Sequence, residues 1–195
     1  MRAHQAAKAA MKAVKPDLKI GITMSLHDIQ PQPGGAEEAA REWNDEFLHY
    51  VPYIKDDDFF GVQNYTRTLM GSDGSLPVPS SAETTQMGYE FYPQALGNVI
   101  REVHKNISIP IIVTENGLAT SDDTRRVDFI GQALAGVESC TDDGIPVIGY
   151  CHWSLLDNFE WQKGYTMTFG LIAVDRATQK RSPKPSLAFL GNYTK

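Results

Sequence analysis

The sequence has no block of basic residues, no long apolar run and very little cysteine, and each shortage excludes a class of function. Its 18 basic residues are outnumbered by 24 acidic ones, a formal charge of −6. Such a chain has no electrostatic footprint for nucleic acid or an anionic membrane surface. No segment reaches the roughly 20 consecutive apolar residues of a membrane-spanning helix. Residues 1–14 are rich in Ala and Lys and lack the apolar centre of a secretory leader, which points to the cytoplasm. Cys140 and Cys151 are the only cysteines. Two are too few for a disulfide scaffold, and no Cys/His pair has zinc-ligand spacing, so both read as reduced thiols. No solenoid-type repeat is present.

What is present is ordinary for a folded domain. The 195 residues are 42% hydrophobic and 22% charged, enough to bury one sizeable core, and 1–195 reads as a single domain. Residues 2–14 predict a helix stopped by Pro16, with Ala6, Ala9, Ala10, Met11 and Val14 as a weakly apolar face. Residues 19–24 predict a short buried strand and 26–35 a loop. A helix is expected over 36–50, a strand over 59–65, and a long loop over 71–85. A further helix (93–105), strand (109–114), helix (122–140) and strand (146–153) follow. Short, near-continuous apolar strands alternating with helices indicate an α/β fold with a parallel sheet covered by helices. Four strand–helix units are half of a (β/α)8 barrel, a fold that needs about 250 residues. Ile22, Val62, Ile112 and Ile148 are expected to face the barrel interior.

Chemistry concentrates where strands end. In a parallel barrel the C-terminal strand ends form the active-site face. The run Ile-Pro-Ile-Ile-Val ends in Thr114-Glu115-Asn116-Gly117, which places Glu115 where a substrate would sit, with Gly117 allowing a sharp turn away. A carboxylate there suits covalent attack on an anomeric carbon; by position alone it could equally pair with an arginine or cap a helix. The second cluster, residues 150–161, combines Trp153, Phe159 and Trp161 with Asp157, Asn158 and Glu160. Aromatic faces beside carboxylates and amides are what a sugar requires, although an aromatic core cluster with solvated acids has the same composition.

TENG after an apolar strand, then WSLLDNFEW, then GYTMTFGL resembles family 1 glycoside hydrolases, the β-glucosidase family. The stretches RAHQAAKAAMKA, KIGITMSLH, MGYEFYP and RSPKPS extend that resemblance over essentially the whole chain, as the C-terminal half of the family's barrel. The resemblance implies retaining hydrolysis of terminal β-linked glucosyl or related residues without metal or organic cofactor. It implies Glu115 as nucleophile and Tyr65 as the hydroxyl that tunes it. Trp153 would be the platform under the sugar, Glu160 and Trp161 the grip on its outer hydroxyls, and Phe169 a further wall. Two positions depart from the pattern. Gln63-Asn64-Tyr65 stands where the family has Asn-Tyr-Tyr, which puts an amide contact from Gln63 in question. Thr168 replaces an arginine and removes its ion pair. The acid/base glutamate of a Thr-Phe-Asn-Glu-Pro-like motif is not encoded in these residues, so the chain by itself is expected to be inactive. A complementary N-terminal half-barrel or self-association is expected to complete it. The alternative is a catalytically silent half-barrel acting as a folding or assembly partner; a carbohydrate-binding remnant built on Trp153 and Glu160 is a further possibility.

Overall fold

The computed structural model describes residues 1–193, so the last two residues of the 1–195 domain lie outside the described residues. The chain opens with α1 (Arg2–Val14), β1 (Gly21–Ser25), β2 (Asp28–Pro31) and α2 (Ala36–Glu46). A 3₁₀ turn at Leu48–Tyr50 and the short α3 (Val51–Ile54) lead to β3 (Phe59–Gln63). A hairpin of β4 (Arg67–Gly71) and β5 (Gly74–Ser75) precedes α4 (Ala95–His104) and β6 (Ile111–Asn116). Then come α5 (Asp123–Asp142), β7 (Val147–His152), β8 (Ile172–Val174), β9 (Arg181–Pro183) and α6 (Pro185–Gly191).

Four strands form one parallel sheet in the order β1-β3-β6-β7, with helices between successive strands. This is the predicted α/β architecture, the C-terminal half of a (β/α)8 barrel. One face of the sheet carries the core: Phe60, Val62, Ile111 and Val113 are fully buried against Trp43, Phe47, Leu96, Val99, Ile100 and Phe129. Each such side chain contributes about 1.5–3 kcal/mol by leaving water. On α4 the buried Leu96, Val99, Ile100 and Val103 follow the spacing of one helical face. Asp122 caps α5 by accepting a hydrogen bond from the Thr124 amide at 2.9 Å.

The faces correct one expectation. Val62 and Ile22 pack against the helix-side core rather than facing the barrel interior. The interior face carries Thr23, Gly61, Ile112 and Thr114: the Thr23 and Thr114 hydroxyls meet at 2.5 Å, a Cβ on Gly61 would lie 2.7 Å from Thr23 Cβ, and Ile112, paired with Gly61 and outside the core cluster, faces inward as expected. Ile148 is 60% exposed.

Other elements differ in detail. The predicted loop 26–35 contains β2, which pairs in parallel with β4, and the loop 71–85 begins with the β4–β5 turn. The helix predicted to Tyr50 ends at Glu46. On α1 the weakly apolar face stays in water, and Val14 is 87% exposed. The polar face attaches the helix instead: His4 Nε2 and Lys8 Nζ meet the Asp57 carboxylate at 2.7 and 2.6 Å, and Lys12 meets Asp58 at 2.9 Å. Cys140 is buried and Cys151 exposed, both as free thiols. Among the described residues no helix is long and apolar enough to cross a membrane.

Candidate active site

Glu115 lies at the end of β6, next to the end of β3, and the two strands supply its partners. Gln63 Nε2 donates to Oε1 at 2.8 Å, and the Tyr65 hydroxyl donates to Oε2 at 2.5 Å. Each carboxylate oxygen is thereby fixed by one donor, as a preorganised nucleophile requires. The amide contact left in question by the Gln63 substitution is therefore made. Burial first, and the hydrogen bond to Glu115 second, raise the Tyr65 phenol above its usual pKa, so it remains a donor.

Buried amides hold these strand ends in place. Asn64 Nδ2 donates to the carbonyls of Leu26 and Thr66 at 2.9 and 3.0 Å. Asn116, fully buried, donates to the Asn64 carbonyl at 2.8 Å and accepts from the Tyr150 hydroxyl at 2.9 Å. Gly117, read in the sequence as allowing a sharp turn away, also has a packing role: a Cβ there would lie 2.0 Å from the Trp153 carbonyl oxygen, so it permits close approach of the segment that follows β7.

Trp153 follows β7, with its amide donating to the Asn116 carbonyl at 2.9 Å, and the Trp153–Ser154 peptide is cis. The next loop returns through a tight turn in which Glu160 and Gly164 exchange backbone hydrogen bonds at 2.7 Å. Phe169 is 4% exposed and meets the Tyr65 ring edge-on at 6.1 Å. The six predicted site residues, Tyr65, Glu115, Trp153, Glu160, Trp161 and Phe169, line one cleft of about 350 Å³. Trp161 stands at its rim, 81% exposed.

Not every candidate of the 150–161 cluster reaches the cleft. Asp157 Oδ1 accepts from Lys184 Nζ at 3.1 Å and from the Gly170 amide at 2.8 Å, which makes it a brace for the loop. Asn158 donates to Ser154 Oγ at 3.2 Å, and Phe159 packs edge-on against Tyr165 at 5.3 Å. Conversely, Ser25, Met87 and Tyr89 line the cleft without having been singled out as ligands. Ser25 ends β1, and the rule that strand ends form the site would have found it. Met87 and Tyr89 lie in MGYEFYP, one of the stretches that carry the resemblance, which was the signal that could have found them. Burial and then the charge of Glu160 raise the Tyr89 phenol pKa. Thr168 replaces the missing ion pair with hydrogen bonds: its amide donates to Gln86 Oε1 at 3.0 Å and its hydroxyl to the Thr120 carbonyl at 2.9 Å.

Behind the cleft, His152 is half-buried beside Asn116, with Nε2 enclosed and without a hydrogen-bond partner among the described residues. Burial first, then the positive charge of Arg126, pushes its pKa down to about 3. Among the described residues no group of three or more His, Cys, Asp or Glu side chains is gathered to hold a metal ion.

Parallel strands ending in a carboxylate held by an amide and a phenol, with an indole and a second carboxylate across the cleft, define a protein of the barrel-glycosidase class. The chain belongs to glycosyl hydrolase family 1, whose model matches residues 54–195. It is 30% identical over 219 aligned positions to a β-galactosidase of Sulfolobus acidocaldarius, covering 95% of this chain and 44% of that protein. To β-glucosidase A of Thermotoga maritima it is 28% identical, covering all of this chain and 54% of that one. A crystal structure of a β-glycosidase superposes with a TM-score of 0.93 at 52% identity, over 97% of this chain and 46% of the other. The chain thus spans about half the length of the relatives it matches.

Proposed function

We propose that this chain supplies the nucleophile side of a retaining β-glycosidase acting on terminal β-linked glucosyl or related residues, as one partial catalytic domain over 1–195. The observation that carries this reading is the Glu115 carboxylate, with one oxygen held by Gln63 and the other by Tyr65, at the floor of a cleft shared with Trp153 and Glu160. In the first step a Glu115 oxygen attacks the anomeric carbon as the glycosidic C–O bond breaks. The leaving oxygen takes a proton from a carboxylic acid outside these residues. In the second step that group, now a carboxylate, deprotonates a water. The water displaces Glu115 and releases the sugar with its configuration retained. Trp153 supports the apolar face of the ring, Glu160 and Trp161 hold outer hydroxyls, and Phe169 closes the wall.

The partner implied is a complementary half-barrel that pairs with the free edges of β1 and β7 and brings the acid/base group; self-association through a second copy pairs the same edges without bringing that group. An activated 2-deoxy-2-fluoro-β-glucoside tests the nucleophile, because its good leaving group needs little acid assistance and its glycosyl-enzyme accumulates. Incubated with a complete barrel containing this chain and digested, it is expected to leave the sugar on the peptide carrying Glu115. A label on any other residue would overturn the assignment.

A further inference from the structure

The largest cavity described lies outside the cleft. In the helical layer α4 packs tightly on α5, where a Cβ on Gly97 would lie 3.3 Å from Gly136 Cα. Between α2 and α4, by contrast, a groove of about 570 Å³ opens, with β2 as its floor. Its volume is in the range of small-molecule sites. Ile29, Ala36, Ala39, Ala40, Trp43 and Val99 give it an apolar lining, and the remaining wall is charged.

Those charges do not balance inside the groove. His27 meets Glu46 at 2.7 Å, Arg101 meets Asp143 at 2.6 Å, and Lys105 meets Glu102 at 2.6 Å. Each cation in the wall therefore carries its own anion. Asp28 does not carry a cation: among the described residues it makes no ion pair. Its two donors, Asn98 Nδ2 at 2.8 Å and Gln30 Nε2 at 2.7 Å, are neutral amides and both meet Oδ2. Arg67, the nearest cation behind it, reaches only Gln30 Oε1 at 2.9 Å and is itself paired with Glu90 at 2.7 Å. Among the described residues Oδ1 has no hydrogen-bond donor, and Arg67 acts on Asp28 only through its charge, at longer range than an ion pair. A partly desolvated carboxylate in this position is costly, and burial indeed raises its pKa.

We infer that the α2–α4 groove binds a small organic ammonium, with its N–H groups donating to Asp28 Oδ1 and its hydrocarbon body lying over Ala36, Ala39, Ala40 and Val99. Charge complementarity selects the cation, and the apolar lining selects an alkyl or cycloalkyl body over a hydrated inorganic ion. The site is independent of the glycosidase reading, because none of its residues lines the cleft.

The test is calorimetric titration of the full chain with cyclohexylmethylammonium, with the neutral cyclohexylmethanol as control. A Glu115→Gln/Glu160→Gln background keeps the amine from being held by the cleft carboxylates. The ammonium is expected to bind once per chain and the alcohol at least about tenfold more weakly, the scale of a lost charge-assisted hydrogen bond. Asp28→Asn, which keeps the shape, and Ala40→Phe, which fills the groove from an exposed helix position, are each expected to weaken the ammonium about tenfold or more. Equal binding of amine and alcohol, unchanged binding in either variant, or no binding at millimolar concentration would each overturn the proposal. Binding lost in Glu115→Gln/Glu160→Gln but kept in Asp28→Asn would assign the amine to the cleft and overturn it as well.

Discussion

At the scale of single residues, the chemistry depends on which side chains share a cleft and what holds them there. Glu115 is the candidate that two strands cooperate to orient. In a complete barrel, Glu115→Gly is expected to lower turnover of an activated β-glucoside by on the order of 10⁴-fold or more, as loss of a covalent nucleophile does elsewhere. Azide should rescue it and yield a glycosyl azide of inverted configuration, read by NMR. A variant that turns over like the parent would remove Glu115 from the reaction. Glu160 acts differently, as a group that grips hydroxyls. Glu160→Ala is expected to cost about 2–4 kcal/mol in kcat/KM for hydroxylated sugars, because broken charge-assisted pairs leave sugar hydroxyls unmatched. Steady-state kinetics with a deoxy-sugar series checks this, and an unchanged kcat/KM with the fold intact would make Glu160 structural.

At the scale of elements, β6 and β7 bring the nucleophile beside the sugar platform, with Gly117 leaving room for the crossing. His152 on β7 is part of that packing, and its pKa is pushed from 6.5 down to about 3. Unfolding frees the ring to take a proton below pH 6.5, so the unfolded state binds more protons between pH 6.5 and about 3. The stability gained from keeping the ring neutral is complete above pH 6.5 and is lost as pH falls through that window. His152→Phe is expected to remove about 1–2 kcal/mol of the stability lost between pH 7 and 5, at roughly 1.4 kcal/mol per unit of differential protonation. Urea unfolding at the two pH values measures it; equal pH dependence in parent and variant would show that His152 does not contribute the acid limb.

For the whole molecule, the unpaired edges of β1 and β7 and the exposed aromatics Phe159, Trp161 and Tyr165 matter most. Exposed strand edges invite pairing. The drive to associate comes from these edges and rings and from Ile112 and the exposed Ile148, while Val62 is already buried in the core. The isolated 195-residue chain is expected to run as a dimer or larger by light scattering, and to release no nitrophenol from a β-glucoside above the uncatalysed rate. General acid/base assistance is worth about 10²–10⁴ in rate, and the proposed function places its carboxylic acid outside these residues. A stable monomer would defeat the assembly expectation. Turnover dependent on Glu115 would reveal a proton donor within these residues, for which Glu160 would be the first to test, being the other carboxylate in the cleft.

The sequence alone determined the four strands of the parallel sheet, the helices α1, α2, α4 and α5, and the strings that carry the site. Apolar runs of strand length and helical spacing such as Leu96, Val99, Ile100 and Val103 are local patterns, and TENG and WSLLDNFEW are contiguous. Tertiary structure decided what depends on pairing across distance. A near-continuous apolar strand has no alternation to declare its faces, so only packing against α2 and α4 turned Val62 away from the barrel interior. β2 exists because β4, 39 residues further on at the first paired position, lies beside Asp28. Asp157 and Glu160 are alike as acids in one loop; Lys184, from a distant segment, claimed the first as a brace and left the second to the cleft. Gln63 reaches Glu115 because a register shift between β3 and β6 sets their side chains opposite one another, a relation that exists only once the sheet has formed.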